Sequence, residues 1–505
     1  MNLPRPALAG RPVSFATCLI ILAACAAILF LDHLRFLSLP FFWDELGQFV
    51  PSALDIWRDG AWVPHSAVPN AHPPGVMAYL ALVWSFFGYS IPVTRAAMLA
   101  LAATLALVSF LLANRLGVSS GRASACLATL LLLADPLFHA QAMMAQLDMP
   151  AALFATLSLL LFLEDRQRWT VAACTLLVLV KETGVVVPLL FALVLWRDRR
   201  RSEALRYAIP FAALLVWFAY LWHTTGNLFG DSGFTHYNLT YPLNPIRIAV
   251  SLLRRFYYLF LADFRWIGAL TLWWAWRRTR IFRSREWALA GLAFAGEVLL
   301  VTLLGGAALE RYLLPALPIL YAAVAAAWME LPVRRRTLSA AAMTAGLIAG
   351  WFLNPPFPFP YENNLAMTDF VRLQRDAAAY LEHRDSGETI YTAWPFTAAL
   401  RTPDFGYVRH ALKTGETSDL RGSSLRRLNP DKVRVLVLYS RTWDPSWGVL
   451  RIPALELFLE RFYDYEPEWT SAQVRDALHL TRTARWDRGG QWVEVYERDP
   501  DRYDF

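Results

Sequence analysis

Apolar runs recur through the first 353 residues, at about 13–31, 92–113, 122–138, 149–163, 169–181, 184–196, 207–222, 262–276, 286–304, 311–331 and 337–353. Such runs predict about eleven membrane-crossing helices, although several fall short of the roughly 20 residues that a straight span needs. Between the first and second runs the pattern changes. Leu46, Phe49, Val50, Ala53, Leu54 and Trp57 recur at helical spacing with polar residues on the other faces, which predicts a helix lying in the interface. Pro51 should kink or restart it, and Gly60 should end it. A second pattern, Val76, Tyr79, Leu80, Val83 and Phe87, starts behind Pro73-Pro74 and also reads as interfacial. The 223–261 stretch predicts a third such helix through Leu252, Leu253 and Phe256.

The pattern breaks again at Asn354. A proline-rich linker, Asn354 to Pro360, leads into an amphipathic helix through Phe370, Leu373, Ala377, Tyr380 and Leu381. Strands are expected at Thr389-Ile390-Tyr391, at Val433 to Leu438 and at Trp492 to Tyr496, with a further helix through Leu455, Phe458 and Phe462. The expected fold class is therefore mainly α: a polytopic helical bundle, residues 1–353, with interfacial helices and a small α/β domain, residues 354–505.

Composition strengthens the membrane reading. Hydrophobic residues make up 56% of the 505, and the mean hydropathy is +0.33. The net charge of +7 does not indicate nucleic acid, because the basic residues sit in short clusters between apolar runs rather than along one face. The four cysteines, Cys18, Cys25, Cys126 and Cys174, lie inside apolar runs, with neither zinc spacing nor a disulfide framework. Arg5 and Arg11 ahead of the first run also suit a signal peptide, but the run continues past Cys25 through Ile28, Leu29 and Phe30, which predicts an uncleaved anchor.

Arginine placement sets the expected sidedness, because short loops rich in Lys and Arg stay cytoplasmic. With eleven spans, the clusters at Arg115 and Arg122, Arg166 and Arg168, Arg197 to Arg206, Arg277 to Arg285 and Arg334 to Arg336 share one side. The loop after Trp43, the turn before Asp148, Lys181, the 223–261 loop and everything beyond 354 then face the other side, so the candidate chemistry is extracytoplasmic.

That side holds most of the ionisable candidates. Asp44 and Glu45 follow Phe41-Phe42-Trp43; carboxylates among aromatic groups are partly desolvated, which suits one of them to act as a general base. The same two acids equally suit a helix cap and first turn. Asp148, ahead of Pro150, is either a cap or a second catalytic carboxylate. Lys181-Glu182-Thr183-Gly184 divides two apolar runs, where an ion pair or an anion-binding lysine is expected, with Gly184 permitting the break. Arg311 either anchors its helix at the headgroups or binds phosphate through its planar fork, and Arg254 and Arg255 allow the same two readings. Glu297, inside an apolar run, is expected to be hydrogen-bonded within the bundle.

Taken in order, Trp43-Asp44-Glu45, His72-Pro73-Pro74, Gln146-Leu147-Asp148-Met149-Pro150, Lys181-Glu182-Thr183-Gly184 and Arg311-Tyr312-Leu313-Leu314-Pro315 resemble the GT-C superfamily of membrane glycosyltransferases, in particular bacterial relatives of protein O-mannosyltransferases and lipid A aminoarabinose transferase. The resemblance covers about residues 10–330. It implies an enzyme of the bacterial inner membrane that moves a sugar from a polyprenyl-phosphate donor to an extracytoplasmic acceptor hydroxyl on a lipid, glycan or protein, with inversion. By resemblance Asp44 would be the general base. Glu45 and Asp148 would position the acceptor or tune that base, and Lys181, Arg311 and His72 would meet the donor phosphate, with Arg254 and Arg255 as further candidates. No cofactor is implied; members of this kind generally need no bound metal, although some relatives have one. Two departures stand out: His72 replaces a lysine before the two prolines, and Glu182-Thr183 follows Lys181 where a glycine is usual.

The principal rival is a polytopic transporter or flippase of a lipid-linked or anionic substrate, in which the same acids and bases would line a path. Such proteins often consist of two related halves. No internal repeat is visible here, and the polar candidates gather at one membrane face.

Overall fold

Every apolar run of the first 353 residues is helical in the computed structural model, which describes residues 13–117, 121–384, 387–444 and 447–498. Arg5 and Arg11 lie outside the described residues. Two compact units result. The first comprises residues 1–34, 52–89 and 93–352, and the second residues 35–51, 90–92 and 353–505.

Among the described residues of the first unit, five helical stretches have the length and apolarity to cross a bilayer: Phe15–Phe36, Ile91–Leu116, Arg201–Thr225, Arg285–Leu303 and Glu310–Met329. Four shorter apolar helices accompany them, Gly75–Phe87, Gly121–Ala134, Asp148–Leu163 and Gln167–Val180. Helix Gly75–Phe87 has 13 residues and, like the other three, is shorter than the roughly 20 that a straight span needs. The predicted run 122–138 is not one helix. It stops at Ala134, and Asp135 caps a new short helix by accepting from the backbone N–H groups of Leu137 and Phe138, with Pro136 in the first turn.

Asp135 also explains why a carboxylate is tolerated there. It is fully buried and accepts a hydrogen bond from Arg265 Nη2 at 2.6 Å and another from the Tyr321 hydroxyl. Arg265, equally buried, adds Asp263 at 2.7 Å and the Tyr258 hydroxyl at 3.1 Å. Buried charges persist only when paired and hydrogen-bonded in this way.

Four of the five arginine-rich connections, all but that at Arg334 to Arg336, are linked at one end of this unit. Arg200 Nη2 lies 2.7 Å from Asp165, Arg285 pairs with Asp198, and Arg115 reaches Glu286 at 3.7 Å and the Leu163 carbonyl at 3.2 Å. Helix Asp148–Leu163 rises away from that end by about 24 Å. Asp148 and Lys181 are therefore at the opposite helix ends.

In the second unit, strands β1 (Ile390–Ala393), β2 (Thr414–Thr417), β3 (Val435–Tyr439), β4 (Thr481–Arg488) and β5 (Gln491–Glu497) form one sheet in the order β2-β1-β3-β5-β4. β1 is parallel to β2 and β3, whereas β5 is antiparallel to both β3 and β4. All five residues of β3 are buried, the mark of a central strand covered on both faces. Helix Ala366–Arg384 lays Phe370, Leu373, Ala377 and Leu381 into this core, as the sequence predicts. Residues 414–417 and 481–488 carry too little apolar alternation to be recognised as strands beforehand.

Candidate active site

The turn at Asp44 belongs to the second unit. Glu45 is fully buried, and its Oε2 accepts from the backbone N–H of Phe42 at 2.9 Å, tying back the turn that presents Asp44. A five-residue π-helical turn, Glu45–Phe49, follows and passes directly into helix Val50–Asp59, with Pro51 accommodated in the first turn. Trp43 holds a left-handed backbone, φ 44°, an uncommon conformation for a bulky residue that here sits immediately before the candidate base. Asp44 itself is half-buried.

The residues that pack this turn come from far along the chain. Phe370 lies 5.4 Å from Phe42 and 5.8 Å from Trp43, centroid to centroid, and Trp394 meets Trp43 edge-on at 5.9 Å. The Tyr407 hydroxyl donates to the Phe41 carbonyl at 2.7 Å. Gly47 is needed for this approach, because a Cβ there would stand 2.3 Å from Trp394 Nε1. Sequence reasoning singled out none of Phe370, Trp394 and Tyr407 for this role.

In the first unit, the predicted cations converge on Asp148. Pro150 and the helix start fix this carboxylate, which is 3% exposed. Lys181 Nζ donates to its Oδ1, and Arg311 Nε lies 3.2 Å from its Oδ2. Arg311 Nη1 also donates to Gln146 Oε1 at 2.7 Å. Lys181 occupies an extended residue between helix Gln167–Val180 and the 3-10 turn Glu182–Val185, and its ammonium sits 4.2 Å above the Tyr312 ring. Gly184 lets the turn close, since a Cβ there would come within 2.5 Å of the Leu177 side chain.

The other candidates flank this cluster. His72 Nδ1 lies 2.9 Å from Glu182 Oε2, beside Lys181 in sequence. Arg254 grips both oxygens of Glu310, the neighbour of Arg311. Arg255 is fully buried and donates to the carbonyls of Leu309 at 2.6 Å and Val301 at 3.3 Å, so two of its donors hold backbone. Glu297 departs from expectation: it is buried, yet its Oε2 has no hydrogen-bond partner among the described residues and it faces the charges of Lys181 and Asp148. The apolar run 286–304 located Glu297 inside a helix, but which partners surround a helix position is a tertiary matter.

Chemically, the cluster offers an ammonium and a guanidinium group held by Asp148, with Glu182 and Glu297 close to Lys181. Guanidinium and ammonium groups suit phosphate oxygens, and a buried site strengthens that attraction. Gln146 and Tyr312 complete the cluster. Their signal was their place inside the motif segments, but neither residue type alone marks a phosphate site. As for metal, His33 is poorly placed to serve, since its ring nitrogens lie 2.8 and 3.0 Å from the carbonyls of Leu29 and His139.

Comparison with known proteins agrees with this architecture. A family model described as a predicted membrane protein, DUF2079, matches residues 70–380. No curated protein matches the chain. ArnT from Cupriavidus metallidurans, solved with bound undecaprenyl phosphate, is similar at a TM-score of 0.58 and 16% identity over 95% of this chain and 98% of that one. The same protein in its apo state gives 0.56 and 17%, with the same coverage. The archaeal oligosaccharyltransferase AglB from Archaeoglobus fulgidus, in complex with an inhibitory peptide and a dolichol-phosphate, gives 0.52 and 11% over 97% and 74%. The chain thus belongs to the DUF2079 family of predicted membrane proteins, and its fold is similar to that of ArnT and AglB.

Proposed function

We propose that this protein is an integral-membrane glycosyltransferase that transfers a sugar from a polyprenyl-phosphate donor to a hydroxyl of an extracytoplasmic lipid, glycan or protein. The observation that carries this reading is the convergence of Lys181 and Arg311 on Asp148 in a chain whose fold resembles that of ArnT, a protein solved with undecaprenyl phosphate. Their ammonium and guanidinium groups are the kind that suit phosphate oxygens, and Asp148 holds both in place. Asp44 acts as general base: it takes the proton of the acceptor hydroxyl as that oxygen forms its bond to the anomeric carbon. The bond from that carbon to the phosphate oxygen breaks in the same displacement. Polyprenyl phosphate leaves with its new charge stabilised by Lys181 and Arg311, and in-line attack inverts the anomeric centre. The gathering of arginine-rich connections at the end opposite Asp148 and Lys181 supports an extracytoplasmic site in a bacterial inner membrane.

Purified protein supplied with labelled polyprenyl-phosphate sugars tests the proposal. A folded Asp44→Asn variant should lose transfer by roughly 10²–10⁴-fold, the range for removal of a general base. Full transfer by that variant refutes the assignment of Asp44. Movement of the labelled lipid across vesicles with no new glycosidic bond would identify a flippase instead.

A further inference from the structure

Outside the cationic cluster, a second group of side chains converges where no chemistry is yet assigned. Asp55 and Asp59 stand one turn apart on helix Val50–Asp59, and His65 returns to them from the loop behind Gly60. One ligand-type atom from each lies within 4.8 Å of the other two. His65 Nε2 is 3.0 Å from Asp59 Oδ2 and 3.6 Å from Asp55 Oδ1. Two ligands on a tetrahedral zinc with bonds of about 2.0–2.1 Å are about 3.3 Å apart, so both measured separations bracket an edge of that polyhedron.

We infer that Asp55, Asp59 and His65 form a binding site for a divalent transition-metal cation of the zinc type, which fastens the 60–66 loop to the helix. The imidazole and two carboxylates are a ligand set that such cations accept, and the exposed side leaves room for water as the fourth ligand. Asp55 is the anchor. It is 4% exposed, and its Oδ2 accepts from the backbone N–H groups of His65 at 2.9 Å and Ser66 at 3.0 Å. The Ser66 hydroxyl lies 2.8 Å from Oδ1 and 2.9 Å from Oδ2. These bonds orient the carboxylate before any cation arrives, the supporting layer that metal ligands ordinarily need. The side chains of His65 and Asp59 are 61% and 53% exposed, so a cation reaches them from solvent and their substitution opens no core.

Cobalt(II) titrated into the tag-free full-length chain in detergent tests the site. The wild type should develop visible d–d bands that zinc abolishes by displacement. His65→Ala and Asp59→Asn should each weaken binding by about tenfold or more, and Ser66→Ala, which loosens the seat of Asp55, should weaken it less. Zinc should also slow proteolysis within 60–66 in the wild type and not in His65→Ala. Failure of the wild type to develop the bands overturns the inference, as does equal cobalt affinity in the wild type, His65→Ala and Asp59→Asn, each with an unchanged helical circular dichroism spectrum. Sugar transfer plays no part in these readouts.

Discussion

Gly47→Ala is the sharpest test of how the Asp44 turn is held. The added methyl would lie 2.3 Å from Nε1 and 2.4 Å from both Cε2 and Cζ2 of Trp394, whereas non-bonded carbons rest at about 3.5–4.0 Å. More than an ångström must open between the turn and a rigid indole that itself packs edge-on against Trp43. Overpacking of this kind costs about 1–3 kcal/mol. Alanine otherwise favours a helical backbone over glycine by up to about 1 kcal/mol, so backbone preference works in the opposite direction. A shift of that size, three residues from Asp44, is of the order that costs about 10²-fold in rate when a catalytic group is misplaced. Thermal unfolding and sugar transfer should be measured for Gly47→Ala, Trp394→Ala and the double variant. In the Trp394→Ala background, the glycine substitution should be neutral or stabilising, because the clash has gone. An equal cost of Gly47→Ala in both backgrounds would refute the packing explanation and leave a purely local effect of the backbone.

Two further outcomes follow from the first unit. Asp148→Asn leaves Lys181 and Arg311 buried with weakened pairing, so it should destabilise the protein by about 3–5 kcal/mol, read as a fall in the unfolding midpoint. Arg311→Lys keeps the charge but cannot donate to Gln146 while also approaching Asp148 through a planar fork. Its expected signature is a donor KM raised by roughly tenfold with a smaller change in acceptor KM; an unchanged donor KM would remove Arg311 from the phosphate site.

Local patterning was enough to locate most helices, because a long apolar run marks a membrane helix and a 3.6-residue repeat marks an amphipathic one, and both are local properties. The helices Ile91–Leu116 and Gln167–Val180 lie on such runs, and Ala366–Arg384 lies where the repeat puts it. Proline placement was readable at Pro74, which stands at a helix start, but not at Pro136, which begins a new helix inside a run that reads as one span. The candidate acids and bases were legible as residue types in order along the chain, but their partners were not. Lys181 meets Asp148 across 33 residues and Arg311 meets Gln146 across 165, and no local pattern encodes such pairings. Tertiary structure alone decided that Tyr407 ties down Phe41, 366 residues earlier, and that Trp394 packs where Gly47 has no side chain. It likewise decided that Asp135 should interrupt an apolar run, because only a folded bundle brings Arg265 and Tyr321 to a carboxylate that would otherwise be too costly to bury. The sequence by itself determined a membrane-embedded helical protein with a small α/β domain and an ordered set of ionisable candidate residues. Which of those residues meet, and what holds the Asp44 turn in place, depends on contacts between distant segments that exist only once the chain has packed.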